Sequence, residues 1–169
     1  MATPEAILIG GANGAGKTTF ARELLPSLYR GVEFLNVDEI QREAPHLAHP
    51  MAAGRELLHR LNAIEGSRDS FAIETTLSSM MYAKRMRSWK TWGYCLTLHY
   101  IELPSDDYAV RRVATRVAAG GHAVPESDVR RRFSRGLVFF EQLYKPLADE
   151  WYHWYSDDEG LRLVDYRET

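Results

Sequence analysis

Residues 11 to 18 run Gly11-Ala12-Asn13-Gly14-Ala15-Gly16-Lys17-Thr18, the pattern G-x-x-x-x-G-K-[ST], and Thr19 follows directly. Few short patterns restrict a fold so tightly. The glycines let consecutive backbone N–H groups converge and cradle phosphate oxygens. A strand must deliver the chain to that cradle and a helix must leave it, because the helix N-terminus adds free N–H groups and a positive dipole end. The flanking residues meet this requirement. Ala6-Ile7-Leu8-Ile9 is an apolar run suited to a buried strand, and Phe20, Leu24 and Leu25 recur at helical spacing after Lys17. Lys17 brings a positive charge to the β- and γ-phosphates of a nucleoside triphosphate, and the Thr18 hydroxyl is suited to Mg²⁺. Residues Gly11 through Thr19 are therefore the expected nucleotide contacts.

Beyond the loop, Pro26 is expected to end the first helix near Leu25. Residues 33–37 read as a second strand ending at Asp38-Glu39, and residues 43–51, with Pro45 and Pro50, as a loop. Leu57, Leu58, Leu61 and Ile64 mark a helix, and Phe71-Ala72-Ile73 a short strand running into Glu74-Thr75-Thr76. Ser78 or Ser79 offers an N-cap for a helix that Gly93 ends. Residues 94–103 form the longest strand candidate, stopped by Pro104, with Ser105 and Asp106 opening the next helix. The Gly120-Gly121 link leads to a further helix over 126–143. Trp151-Tyr152-His153-Trp154-Tyr155 reads as packing of a C-terminal helix, and Leu161 to Val164 as the last strand. Strands alternating with helices predict one α/β domain over residues 1–169, built on a parallel sheet covered on both faces.

Composition excludes several classes. Twenty-one basic against 23 acidic residues leave a net charge of −2, which argues against general affinity for nucleic acid or anionic membranes. No stretch approaches the ~20 apolar residues of a spanning helix. The N-terminus carries no basic region before a long apolar run, so a cytoplasmic protein is expected. The single cysteine, Cys95, excludes an internal disulfide and is expected to pack in a strand. His46 and His49 have metal-ligand spacing, but Pro45 and Pro50 flank them and no third ligand is near, so a solvated loop is the better reading.

In open α/β sheets ligands bind beyond the C-terminal ends of the strands. Asp38 falls in that place, where a carboxylate can take the proton of a hydroxyl attacking the γ-phosphate; the alternative is a helix cap only. Glu74, with Thr75 and Thr76, ends the third strand and can bind the polar groups of an acceptor or hold Mg²⁺ through water; the alternative is a buried knot that terminates the strand. Arg112 and Arg116 share a helix face opposite the valine stripe of Val110, Val113 and Val117, and Arg130, Arg131, Arg132 and Arg135 open the next helix. Two arginine-bearing helices joined at Gly120-Gly121 form a candidate lid over about residues 111–135, which would carry guanidinium groups to the γ-phosphate. A solvated basic face is the plainer alternative.

These segments together resemble the zeta-toxin-type P-loop kinases. The resemblance rests on residues 10–19, on Asn36-Val37-Asp38-Glu39-Ile40, and on Phe71-Ala72-Ile73-Glu74-Thr75-Thr76-Leu77-Ser78. It continues through Arg112-Val113, Arg116-Val117, Gly120-Gly121-His122 and Val124-Pro125 to Arg131-Arg132-Phe133. It implies an ATP- and Mg²⁺-dependent kinase with a five-stranded parallel sheet ordered 2-3-1-4-5, helices on both faces and a helical lid. It further implies that Asp38 is the base, that Glu74 binds the acceptor, and that Lys17, Arg116, Arg131 and Arg132 serve the transferred phosphate. The best-known members phosphorylate UDP-N-acetylglucosamine and are restrained by a small antitoxin, so a hydroxylated small-molecule acceptor and an antitoxin partner are expected. A similar core serves chloramphenicol phosphotransferases, so an antibiotic or nucleoside acceptor is the alternative; a nucleotide-dependent switch is the lesser one, because it leaves Asp38 and Glu74 with no acceptor to serve.

Overall fold

The computed structural model describes residues 3–29, 31–44 and 49–168. Its centre is β1 (Glu5–Gly11), flanked by β3 (Phe71–Thr75) and β4 (Cys95–Glu102). Outside these lie β2 (Glu33–Leu35), β5 (Glu150–Asp157) and β6 (Gly160–Arg167), giving the order β2-β3-β1-β4-β5-β6. The first five are parallel, and β6 runs antiparallel to β5. The five-stranded expectation is thus corrected to a six-stranded mixed sheet. The cause is the aromatic run at 151–155, which forms β5 rather than a helix. Large aromatics pack well on a pleated surface, and a tight turn at Asp158-Glu159 folds β6 back beside it.

Alternation along β1 builds two cores at once. Ala6 and Leu8 face one layer, with Phe71, Ile73, Leu98 and Tyr100 from the neighbouring strands. That layer is closed by α3 (Pro50–Ser67), α4 (Met81–Thr91) and a π-helical turn at Phe140–Tyr144. Ile7 and Ile9 face the other layer, under α1 (Lys17–Leu28) and α5 (Asp106–Ala118). Each such aliphatic side chain contributes about 1.5–3 kcal/mol on full burial. Among the described residues no helix is long and apolar enough to cross a membrane.

Local chemistry explains most boundaries. Ser105 Oγ accepts from the Tyr108 N–H at 3.1 Å and opens α5 as expected. Four boundaries differ from expectation. Pro26 lies inside α1, which closes a turn later with Tyr29 N–H on Leu25 O at 2.8 Å; packing of Phe20, Ala21 and Leu25 outweighs the ~3 kcal/mol cost of an interior proline. α4 starts at Met81 behind Met80 rather than directly behind a serine cap, although Ser79 Oγ still accepts from the Met81 N–H at 3.5 Å. β2 stops at Leu35, because Asn36 leaves the strand to cap α2 (Val37–Glu43). The last helix, α6 (Glu126–Phe139), gives way to the π-helical turn rather than continuing to 143. Cys95 opens β4 half-buried, where burial pushes its thiol pKa up.

His99, buried in the middle of β4, accepts the Trp154 indole N–H on Nδ1 at 3.3 Å. Its proton therefore sits on Nε2, 3.2 Å from the Tyr29 hydroxyl, and the ring stacks on Tyr152 at 4.8 Å. Burial pushes its pKa down to about 3. The unfolded chain protonates this group near pH 6.5 while the folded chain does not, so stability falls as pH drops below about 6. Between pH 7 and pH 5 the loss expected from this group is roughly 2 kcal/mol. Urea unfolding at the two pH values measures it, and a flat profile over that interval would contradict it.

Candidate active site

The phosphate loop sits where sequence placed it, between the C-terminal end of β1 and the first turn of α1. Gly14 and Gly16 adopt φ of 83° and 87°, a region closed to most side chains. Lys17 is the first residue of α1, and its side chain is buried under the loop, donating to Ala12 O at 2.9 Å. Burial pushes the Lys17 pKa down, and the Glu74 carboxylate, 3.8 Å from Nζ, opposes that shift. Thr19, in contrast, is exposed on α1.

Glu74 joins three elements. It lies within β3, beside Ile9 of β1, one residue before the strand ends. Its Oε2 accepts from the Thr18 hydroxyl at 2.7 Å and from the Asn36 side-chain amide. The Asn36 Oδ1 meanwhile accepts from the backbone N–H groups of Asp38 at 2.7 Å and Glu39 at 3.2 Å. Asn36 is thus the α2 cap, and Asp38 stands in the first helical turn with its carboxylate free for other work. No hydrogen bond or ion pair engages the Asp38 carboxylate among the described residues, and it lines the same cleft as Lys17. The burial and dual role of Asn36 escape the sequence reading, although an Asn directly before Val-Asp-Glu is a recognisable cap signal.

The chain after β3 forms the cleft floor. Leu77 has φ 51°, unusual for a branched side chain, and is buried against Gly10. A Cβ on Gly10 would lie 2.3 Å from Leu77 Cδ1, so the bare Gly10 backbone leaves the notch that Leu77 fills. Thr75 Oγ1 accepts from the Leu77 N–H at 3.2 Å, and Thr76 and Ser78 hydroxyls meet at 2.8 Å. Glu74, Thr75, Thr76, Ser78, Ser79 and Met80 all face the cleft.

α5 and α6 supply the opposite wall, and carboxylates sort their arginines. Arg130 turns away to Asp106, Asp107 and Glu126, tying α6 to the start of α5. Arg131 pairs with Asp128 at 2.7 Å. Arg132 donates to the Asn13 side chain of the phosphate loop at 3.2 Å. Arg116 donates to His122 O at 2.8 Å, while its Nε is buried with no protein partner among the described residues. Arg116, Arg131, Arg132 and Arg135 line the cleft, which encloses about 1110 Å³. Arg112 does not: its Cβ lies 3.1 Å from the position of a Cβ on Gly14, and its guanidinium stacks on Tyr108 in a separate hollow of about 310 Å³. Asp157 and Asp158 close that hollow. His49 caps α3 through Met51 N–H at 3.3 Å, His46 lies outside the described residues, and no cluster of three metal-ligating side chains occurs among those described.

A cleft that unites a phosphate cradle, a buried lysine, a free carboxylate and a wall of guanidinium groups is equipped to move a phosphoryl group. The family model for zeta toxins matches residues 1–149. The chain belongs to the zeta toxin family. Among relatives of this zeta toxin family member, an uncharacterized protein of Haemophilus influenzae is 29% identical over 135 residues, covering 76% of this chain and 92% of the relative. A structure from the PezAT chromosomal toxin–antitoxin system of Streptococcus pneumoniae superposes with a TM-score of 0.75 at 18% identity, covering 98% of this chain and 72% of the other. The AvrRxo1-ORF1:-ORF2 complex with ATP gives a TM-score of 0.74 at 16% identity, over 98% of this chain and 59% of the other. At such identities the two structures speak for the zeta toxin fold and not for its substrate.

Proposed function

We propose that this zeta toxin family member is an ATP-dependent kinase that transfers the γ-phosphate to a hydroxyl of a small acceptor. One observation carries the proposal: the Asp38 carboxylate, placed by the bond of its backbone N–H to the Asn36 cap, lines the phosphate cleft with no hydrogen bond or ion pair among the described residues. The ATP phosphates lie in the loop from Gly11 to Thr18, with Lys17 on the β- and γ-phosphates. The nucleobase occupies the hollow beside Gly14, against the Arg112 guanidinium. Mg²⁺ fits the donor set, since Thr18 gives its proton to Glu74 and keeps an oxygen lone pair for a hard cation. When bound it neutralises charge on the β- and γ-phosphates.

Asp38 accepts the acceptor's hydroxyl proton as that oxygen bonds to the γ-phosphorus and the bond to the bridging oxygen of ADP breaks. Arg116, with an orphaned Nε, and Arg131 and Arg132 stabilise charge on the transferring group. Glu74, Thr75 and Thr76 hold the acceptor from the floor. A sugar nucleotide such as UDP-N-acetylglucosamine is the first acceptor to test, because the best-known members of the zeta toxin family phosphorylate it. A small antitoxin is the partner that kinship with a toxin–antitoxin system suggests. The test is ATP consumption with Mg²⁺ across sugar nucleotides, nucleosides and antibiotics, resolved by mass spectrometry of the acceptor. Mass gain of one phosphate on a single acceptor class is expected. Slow hydrolysis that no acceptor accelerates would replace the kinase with a nucleotide-dependent switch.

A further inference from the structure

β6 differs from the other described strands in that all its residues are exposed. It pairs with β5 on one side, and on the other side the sheet ends. An open edge of this length offers a row of N–H and C=O groups to another strand. Four apolar side chains sit on it: Leu161, Leu163, Val164 and Tyr166 are between 41% and 57% exposed. Proteins often disarm such an edge with charges or a bulge, and β6 carries both. Here, however, the bulge arranges the charges. Asp165 pairs with His153 and Leu163 with Trp154, which leaves Val164 as the extra residue. In a regular strand Arg162 and Asp165, three apart, would point to opposite faces. The bulge returns both to one face, that of their β5 partners Tyr155 and His153. Arg162 accordingly lies over the Tyr155 ring at 4.8 Å, and Asp165 reaches Lys145 Nζ at 3.5 Å. Leu161, Leu163 and Tyr166 take the other face, with Tyr166 stacked on Tyr152.

A strand with this pattern is complementary to itself. Two copies related by a two-fold axis normal to the sheet run antiparallel at the edge and keep their faces matched. Overlapping the two β6 strands end to end sets Arg162 opposite Asp165 of the second copy. The same register sets Leu161 opposite Tyr166 of the second copy and Leu163 against its Val164. Symmetry repeats each of these contacts, so two opposite-charge pairs flank an apolar centre. We propose that β6 is a homodimer interface, which joins two copies of this chain edge to edge in one continuous sheet. The present partners of the two charges do not oppose this. Arg162 with Asp157 at 2.8 Å and Asp165 with Lys145 are pairs at the protein surface, of the kind that contributes little. No β6 residue lines the phosphate cleft, so the pairing leaves that cleft open in both copies. The interface therefore does not rest on the kinase reading.

Sedimentation velocity over a concentration series tests it. The parent chain is expected to pass from monomer to dimer as its concentration rises. Arg162→Asp sets acid against acid across the interface, and Asp165→Arg sets base against base. Each should weaken the dimer by about tenfold or more. Mixed in equal amounts, the two variants supply each other's missing charges, and a dimer of parent-like affinity is expected to return. Thermal unfolding of each variant should follow the parent, because both side chains are exposed. Hydrogen exchange of the parent gives a reading that needs no substitution: β6 amides should exchange more slowly as concentration rises, while those of β2, at the opposite edge, should not. A parent that stays monomeric up to its solubility limit, or β6 exchange that ignores concentration, overturns the proposal and leaves the edge free for a strand of another protein. A dimer that both single variants retain, or that mixing them does not restore, overturns it as well.

Discussion

Asp38→Asn is expected to lower phosphoryl transfer by about 10³-fold while leaving nucleotide affinity nearly unchanged. The substitution keeps the side-chain shape and removes only the capacity to take up a proton. It also spares the fold, because α2 is capped through the Asp38 backbone N–H and not through its carboxylate. A fluorescent nucleotide titration and single-turnover kinetics separate the two effects. Retention of full transfer rate in Asp38→Asn would remove Asp38 as the base and leave the cleft without another unpartnered carboxylate to replace it among the residues described above.

Lys17→Ala is expected to cost 10²-fold or more in turnover and to weaken triphosphate binding, since it deletes the one ammonium group beneath the phosphate loop. Its effect on stability should run differently. Burial depresses the Lys17 pKa, which means that the folded protein holds this charge at a cost in desolvation. Removing it relieves that cost while forfeiting the attraction to Glu74, so the melting temperature is expected to stay within a few degrees of the parent. Differential scanning fluorimetry with and without nucleotide checks this: the parent gains stability on adding nucleotide, and Lys17→Ala gains much less. A melting temperature that collapses without nucleotide would instead make Lys17 a structural residue.

The phosphate loop, the strand before it and the helix after it were readable from sequence because local pattern and local structure coincide there. The Ser105 cap and the Gly93 stop were readable for the same reason. β5 was not. Trp151 to Tyr155 carries no strict alternation of apolar and polar residues, and only the edge it offers to β4 makes it a strand. Pro26 shows the reverse error, a strong local signal overridden by packing on both sides of it. In the site, Asp38 and Glu74 could be placed from their positions after apolar runs. The Asn36 bridge could not, since it forms only when β2 and β3 lie side by side. Which arginines face the cleft was equally hidden, because carboxylates on two different helices decide it.

In the proposed reaction, the Glu74 bridge would make the two halves of the cleft thermodynamically dependent on each other. The same carboxylate oxygen accepts from the Thr18 hydroxyl of the phosphate loop and from the side-chain amide of Asn36, whose Oδ1 accepts from the Asp38 N–H. A ligand that changes the Thr18 end of this bridge changes the tension on the Asn36 end. By linkage, whatever factor bound nucleotide applies to acceptor affinity, bound acceptor applies to nucleotide affinity, and a shorter side chain at position 74 would let each substrate bind in ignorance of the other.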